Sequence, residues 1–206
     1  VSLTSVRCKI LESIVRDRIM EHLVKHKIIR EEQHGFVPRK ACVTNLLETT
    51  DRITRCLSKK TPLDIVFLDF AKAFDKVPHR RLLSKLKAVG IGGKILAWIK
   101  SFLSERKQRV VLGKSCSAWS DVLSVVPQGS VLGPILFIIY INDLPSVLKH
   151  SCKMYADDCK IIAEIKSDED ARLLQLDINA VVDWCSKWLM QLNASKCKIM
   201  HFGRRN

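Results

Sequence analysis

The sequence predicts an α+β domain. Helix-like and strand-like segments intermix without a regular βαβ period, which argues against a doubly wound parallel sheet. Hydrophobic residues fill 47% of the 206 positions, enough for a packed core and too many for a disordered basic tail. The longest uninterrupted apolar run, at 135–141, falls far short of the roughly 20 residues a membrane span needs.

The elements follow from periodicity and punctuation. Val6, Ile10, Ile14, Ile19, Leu23 and Val24 recur at helical spacing and predict an amphipathic helix over 6–27. Gly35 and Pro38 break the chain into a loop, and Leu46, Leu47, Ile53 and Leu57 predict a second helix over 42–57. The β-branched apolar run at 63–69, bounded by Pro62, reads as a buried strand. Two helices follow at 80–89 and 94–103, divided by Gly90, Gly92 and Gly93. Segments 108–112 and 122–126 are strand-like, and Pro127-Gln128-Gly129 is a sharp turn into an apolar helix over 132–147. Residues 153–162 read as a hairpin with two acids at its tip, 168–192 as a long helix and 197–202 as a closing strand.

Composition narrows the function. None of the eight cysteines forms a CxxC or CxxxxC pair, which excludes a zinc knuckle and leaves reduced, largely apolar cysteines of an intracellular protein. The formal charge is +14, and nearly all of the excess lies in residues 1–126. Such an excess fits a polyanionic partner, nucleic acid first and an acidic membrane surface second, or a solvated surface kept soluble by self-repulsion. The opening VSLTSVRCKI has neither an initiator Met nor an apolar signal core, so the chain is expected to be an internal piece of a longer protein.

Three aspartates break the local pattern. Asp69 ends an otherwise apolar strand, and Asp157-Asp158 sits within the hairpin. A buried carboxylate needs compensation from a cation, and an oxygen-only cluster suits Mg²⁺. Turn chemistry for the pair, and helix capping for Asp69, are the competing readings.

Four blocks in order decide between them: Gln33-His34-Gly35-Phe36; Phe67-Leu68-Asp69-Phe70-Ala71-Lys72-Ala73-Phe74-Asp75; Pro127-Gln128-Gly129-Ser130-Val131-Leu132-Gly133-Pro134; and Tyr155-Ala156-Asp157-Asp158. With a weaker block of Leu192-Asn193, Lys196 and His201-Phe202-Gly203, the chain resembles the reverse transcriptases of non-LTR (LINE-type) retrotransposons, in particular the jockey and CR1-like group. The resemblance implies a right-hand polymerase palm with partial fingers, an antiparallel sheet packed on helices and no thumb. Residues 1–62 would be partial fingers and 63–206 palm. The implied activity is RNA-directed DNA polymerisation, a two-metal nucleotidyl transfer from dNTP to a primer 3′-hydroxyl. The implied cofactor is a pair of Mg²⁺ ions. The implied partners are an RNA template, a DNA primer, dNTPs, and the endonuclease and thumb regions of a full-length polypeptide, with no membrane. The implied setting is the nucleus for target-primed synthesis and the cytoplasm for RNA assembly.

Residue by residue, the resemblance gives Asp69 and Asp157 the metals, adds Asp158 to the acidic cluster, and lends the Phe70 carbonyl as a further ligand. Phe74 would lie beneath the incoming sugar and reject a 2′-hydroxyl by clash, or else is simply core. Gln128 and Gly129 would approach the template and nucleotide, the alternative being an ordinary loop-to-helix junction. Lys9 would hold the triphosphate, Lys196 would protonate the leaving pyrophosphate and Tyr155 would lie against the primer end. A surface lysine, a strand-edge lysine and a packing tyrosine are the respective alternatives. The basic stretch Arg80, Arg81, Lys85, Lys87, Lys94, Lys100, Arg106, Lys107 and Arg109 would flank the template–primer duplex.

The pattern departs from the family at Val37, at Arg39-Lys40-Ala41, at Val125 and at Cys159. A catalytically inactive nucleic-acid-binding remnant of a degenerate element is therefore the rival function. Group II intron and telomerase-like polymerases are rival families.

Overall fold

A computed structural model describes residues 5–104, 106–121, 126–127 and 129–203. The chain divides into two compact units. Unit I comprises Val1–Ile28 and Phe74–Tyr140; unit II comprises Ile29–Ala73 and Ile141–Asn206.

Unit II is built on strand β1 (Leu63–Leu68), with Leu63, Ile65, Val66 and Leu68 all buried. Each such side chain contributes about 1.5–3 kcal/mol by leaving water. Among the described residues the sheet has four strands, ordered β6-β7-β1-β8, with β6 (Ser151–Tyr155), β7 (Asp158–Glu164) and β8 (Lys198–Phe202). Every pairing is antiparallel. The registers place Leu68 opposite Cys159, Tyr155 opposite Asp158, and Asp64 opposite His201.

Helix α2 (Cys42–Ser58) packs Cys56 into a cluster with Leu63, Ile65 and Ile162. The apolar residues that predicted this helix are mostly on its outer side: Leu46, Leu47 and Leu57 are exposed, whereas Asn45 and Thr49 are buried. The first half of the inward face is polar, and there Asn45 Nδ2 donates to the Met154 carbonyl at 3.0 Å, satisfying the β6 backbone with a side chain.

Helix α6 (Asp168–Trp188) begins at a capping box in which the Ser167 hydroxyl accepts from Asp170 N and the Asp170 carboxylate accepts from Ser167 N. Its inward face includes Leu174, Val181 and Trp184, and the Trp184 ring meets Phe70 edge-on at 6.3 Å. Buried Asp177 accepts from Lys149 N, His150 N and His150 Nδ1, tying the helix to the entry of β6. The predicted helix to 192 stops short. Leu189 adopts φ 55° and Met190 N donates to the Cys185 carbonyl, turning the chain so that 191–193 can pair with 69–71. That pairing overrides the apolar periodicity.

Unit I contains α1 (Val6–Lys25), α3 (His79–Ala88) and α4 (Gly93–Leu103). The predicted amphipathic face of α1 is buried only in part: Ile19 and Leu23 are inside, while Val6, Ile10, Ile14 and Val24 are exposed. The strand-like segment 108–112 splits. Strands β2 (Lys107–Gln108) and β5 (Ser120–Asp121) pair around β3 (Val111–Leu112) and β4 (Ser115–Cys116), apart from the main sheet. Of the predicted strand 122–126, residues 122–125 lie outside the described residues.

The apolar helix predicted over 132–147 divides into α5 (Gly133–Ile141) and a short 3₁₀ turn, Leu144–Val147. Pro145 supplies the reason: it lacks an N–H and biases Leu144 away from the α conformation.

Candidate active site

In unit II, two backbone segments leave the sheet at one end. Asp69 directly follows β1 and Asp158 opens β7, and the adjacent Leu68–Cys159 pair sets them side by side. Asp157 occupies the turn between β6 and β7 with Ala156, which takes φ 54°.

The end of β1 is pinned from the other side. Asn193 N donates to the Asp69 carbonyl at 2.8 Å, Ala71 N donates to the Gln191 carbonyl at 2.7 Å, and Asp69 N donates to Cys197 Sγ at 3.4 Å. Phe70 is buried and bridges to Leu192.

The electrostatics are those of crowded like charges. Burial pushes the Asp157 carboxyl above the ordinary carboxylate range; a hydrogen bond from its own backbone opposes this, and Asp158 and Asp69 push it further up. Lys196 brings its ammonium to 3.9 Å from the Asp69 carboxylate. Asp69, Asp158, Tyr155 and Lys196 line a cavity of about 300 Å³, with Lys160 and Phe67 on its walls. Lys160 is itself buried, and desolvation lowers its pKa.

The acids sense one another without forming a cage. Among the described residues no group of three or more His, Cys, Asp or Glu side chains is gathered closely enough to hold a metal ion. The donor chemistry nonetheless suits Mg²⁺, which is commonly held by one or two carboxylates and completed by water and substrate phosphates.

The remaining predicted positions belong to unit I. Phe74 starts a 3₁₀ turn, and its ring stacks on Phe137 of α5 at 4.4 Å. The Phe74 carbonyl accepts from Val126 N. Gly129 is exposed at φ 89°, a conformation that favours glycine. It precedes Ser130, whose hydroxyl donates to the Pro127 carbonyl and accepts from Gly133 N. Gln128 lies outside the described residues. Lys9 is exposed on α1.

Sequence reasoning missed the supports of these loops. Glu12, fully buried on α1, accepts from Val131 N at 2.7 Å and Leu132 N at 3.2 Å, holding the entry to α5. Gln33 and Gly35 pack against the Ala156 turn. The signal available for Glu12 was a carboxylate within an apolar periodicity. For Gln33 and Gly35 the signal is a short motif with no chemistry of its own.

The family profile described as reverse transcriptase (RNA-dependent DNA polymerase) matches residues 1–205. The chain belongs to the reverse transcriptase family. Among curated proteins, this reverse transcriptase domain is 30% identical over 205 residues to a probable RNA-directed DNA polymerase from transposon BS of Drosophila melanogaster, covering 95% of this chain and 22% of that protein. It is likewise 30% identical over 206 residues to the RNA-directed DNA polymerase from mobile element jockey of the same fly, covering 96% of this chain and 22% of the relative. The chain thus spans about a fifth of the length of the curated relatives it matches. The non-LTR, jockey-like character read from its motifs agrees with these relatives.

In fold, the reverse transcriptase domain superposes on apo telomerase from Candida tropicalis truncated from its C-terminal domain, with a TM-score of 0.64, 16% identity and coverage of 92% of this chain and 40% of that one. Telomerase from Candida albicans, in complex with a TWJ fragment of telomeric RNA, gives 0.63 at 11% identity, covering 92% of this chain and 35% of that one. The α+β fold with its antiparallel sheet packed on helices is that of these telomerase structures. No separate thumb subdomain is apparent among the described residues. No helix among them is long and apolar enough to cross a membrane.

Proposed function

We propose that this domain is an RNA-directed DNA polymerase of a LINE-type retrotransposon, extending a DNA primer on an RNA template with dNTPs. The supporting observation is the adjacency of Asp69 and the Asp157–Asp158 turn at one end of β1 and β7, with the Asp157 carboxyl raised chiefly by burial and further by its two acidic neighbours. Asp69, Asp157 and Asp158, with the Phe70 carbonyl, would hold the two Mg²⁺ ions. When bound, those ions lower the pKa of the primer hydroxyl and offset triphosphate charge.

The protein's own groups orient and discriminate. The Asp69 backbone is fixed by main-chain bonds to 191–193, which places the residue before substrate arrives. Lys196, beside Asp69, supplies a proton donor for the leaving pyrophosphate, and Tyr155 lies against the primer end. Phe74, seated on Phe137, presents a rigid ring as the barrier to a 2′-hydroxyl. Gln128 and Gly129 are assigned to the template and nucleotide, and Lys9 to the triphosphate.

The basic residues from Arg80 to Arg109 other than Lys85 contact the duplex backbone; Lys85 does not, because it is buried and donates to the Tyr140 carbonyl. Within this stretch the Arg109 guanidinium rests on the Trp119 ring at 4.6 Å and Arg106 on Phe102 at 5.4 Å. Residues 1–62 act as partial fingers and 63–206 as palm, within a longer polypeptide carrying endonuclease and thumb regions. Synthesis takes place in the nucleus and RNA assembly in the cytoplasm.

One observation favours a second reading, an inactive nucleic-acid-binding remnant: the three carboxylates are not gathered into a cage among the described residues. Primer extension on poly(rA)/oligo(dT) by the full natural polypeptide separates the two. Incorporation that Asp157→Asn abolishes while template binding persists supports the polymerase. Equal binding by both proteins with extension by neither supports the remnant.

A further inference from the structure

We propose that Gln33 is a positioning residue for Asp157, its side-chain oxygen fixing the turn that carries this acid. The inference deepens the polymerase reading and, for its catalytic arm, rests on it.

Gln33 is 2% exposed, and its Oε1 accepts two backbone hydrogen bonds, from Gly35 N at 2.7 Å and from Ala156 N at 2.9 Å. Its own backbone forms a parallel bridge to Met154: His34 N donates to the Met154 carbonyl and Met154 N to the Glu32 carbonyl, each at 2.9 Å. The loop 32–35 is therefore an added edge on β6 that reaches to the hairpin tip. Asn45 reinforces it by donating to the same Met154 carbonyl.

The turn needs such support. Ala156 is buried and left-handed at φ 54°, a conformation costing roughly 1–2 kcal/mol for a residue with a Cβ. Without Gln33 the buried Ala156 N–H loses its acceptor, and burying an unpaired N–H is costly. Asp157 follows directly in the same turn, so the turn conformation sets where its backbone places the carboxyl. Gly35 makes the approach possible: a Cβ there would lie 2.4 Å from Ala156 N. The Gln-His-Gly motif and the Tyr-Ala-Asp-Asp motif, far apart in sequence, are two halves of one backbone junction.

The test uses the full natural polypeptide with Gln33→Met, which keeps length and apolar bulk but removes the acceptor, and Gln33→Glu, which restores it. Burial favours the protonated carboxyl in that variant, whose carbonyl can accept the same two N–H groups. For single-nucleotide addition, Gln33→Met is expected to lower kcat about 10–100-fold with the dNTP KM within about threefold of wild type, the scale seen when a group orienting a catalytic ligand is lost. Gln33→Glu is expected to recover most of that loss. Amide exchange at Ala156 gives a readout independent of activity: about tenfold faster in the Met variant, and restored by Glu.

A folded Gln33→Met protein with wild-type kcat, or with unchanged exchange at Ala156, overturns the proposal. If the wild type incorporates no nucleotide, the polymerase reading fails and the exchange arm alone decides the role of Gln33. If Gln33→Met does not fold, Gly35→Ala, which presses on the same amide, must reproduce the kcat loss, and wild-type kcat in that variant overturns the proposal.

Discussion

Leu68 of β1 stands directly opposite Cys159 of β7, and the next residue on one strand and the preceding residue on the other are both aspartates. A one-residue slip of this register would send Asp69 and the core residues of β1 to opposite faces. The packing of the strand therefore also aligns the acids. Ile65→Ala, in the cluster with Cys56, Leu63 and Ile162, is expected to cost about 2–5 kcal/mol in urea unfolding. A loss below about 1 kcal/mol would show that this cluster does not hold the strand.

Asp177 is the second anchor of the sheet, since its buried carboxylate collects three donors around Lys149 and His150. Asp177→Ala leaves those donors without an acceptor and is expected to destabilise by about 3 kcal/mol, while Asp177→Asn, which keeps one acceptor oxygen, costs less. Equilibrium denaturation of the two variants measures the difference.

His34 gives a pH dependence. Burial lowers its pKa, with Lys40, Lys153 and Lys160 adding to the effect and Glu48 opposing it. The unfolded chain therefore binds a proton at this site more readily than the folded one, so stability is full above the ordinary histidine value and falls as pH drops below it. The thermal midpoint of wild type is expected to fall between pH 7.5 and pH 5.5 more steeply than that of His34→Asn. Parallel pH profiles would remove His34 as the cause.

Phe74 was readable as gate or as core, and its stacking on Phe137 fits a ring that is both held and available. Phe74→Val is expected to raise rNTP use relative to dNTP by at least about tenfold, because it opens the space a 2′-hydroxyl needs. If only the melting temperature falls and the nucleotide ratio of kcat/KM is unchanged, Phe74 is core.

Much of this was legible in the sequence because it rests on local chemistry. The β-branched run at 63–68 and the acidic hairpin each carry their own signal. Legibility failed where tertiary pairing prevailed. Leu189 and Leu192 continue a helical apolar pattern, yet the chain leaves the helix so that 191–193 can fix Asp69. In α2 the apolar residues marked the helix but misdirected its face, since Asn45 is turned inward by a carbonyl of β6 that no local pattern reveals. Gln33 and Ala156 meet across most of the chain, and only the folded backbone joins them.

Asp69, Asp157 and Asp158 are proposed to receive divalent ions together. Manganese binding followed by electron paramagnetic resonance, on the full natural polypeptide with dideoxy-terminated primer, RNA template and the next dNTP, tests it without requiring turnover. The account predicts ion binding that Asp69→Asn and Asp157→Asn each weaken by at least about tenfold while template affinity holds. Binding identical in wild type and both variants would contradict it.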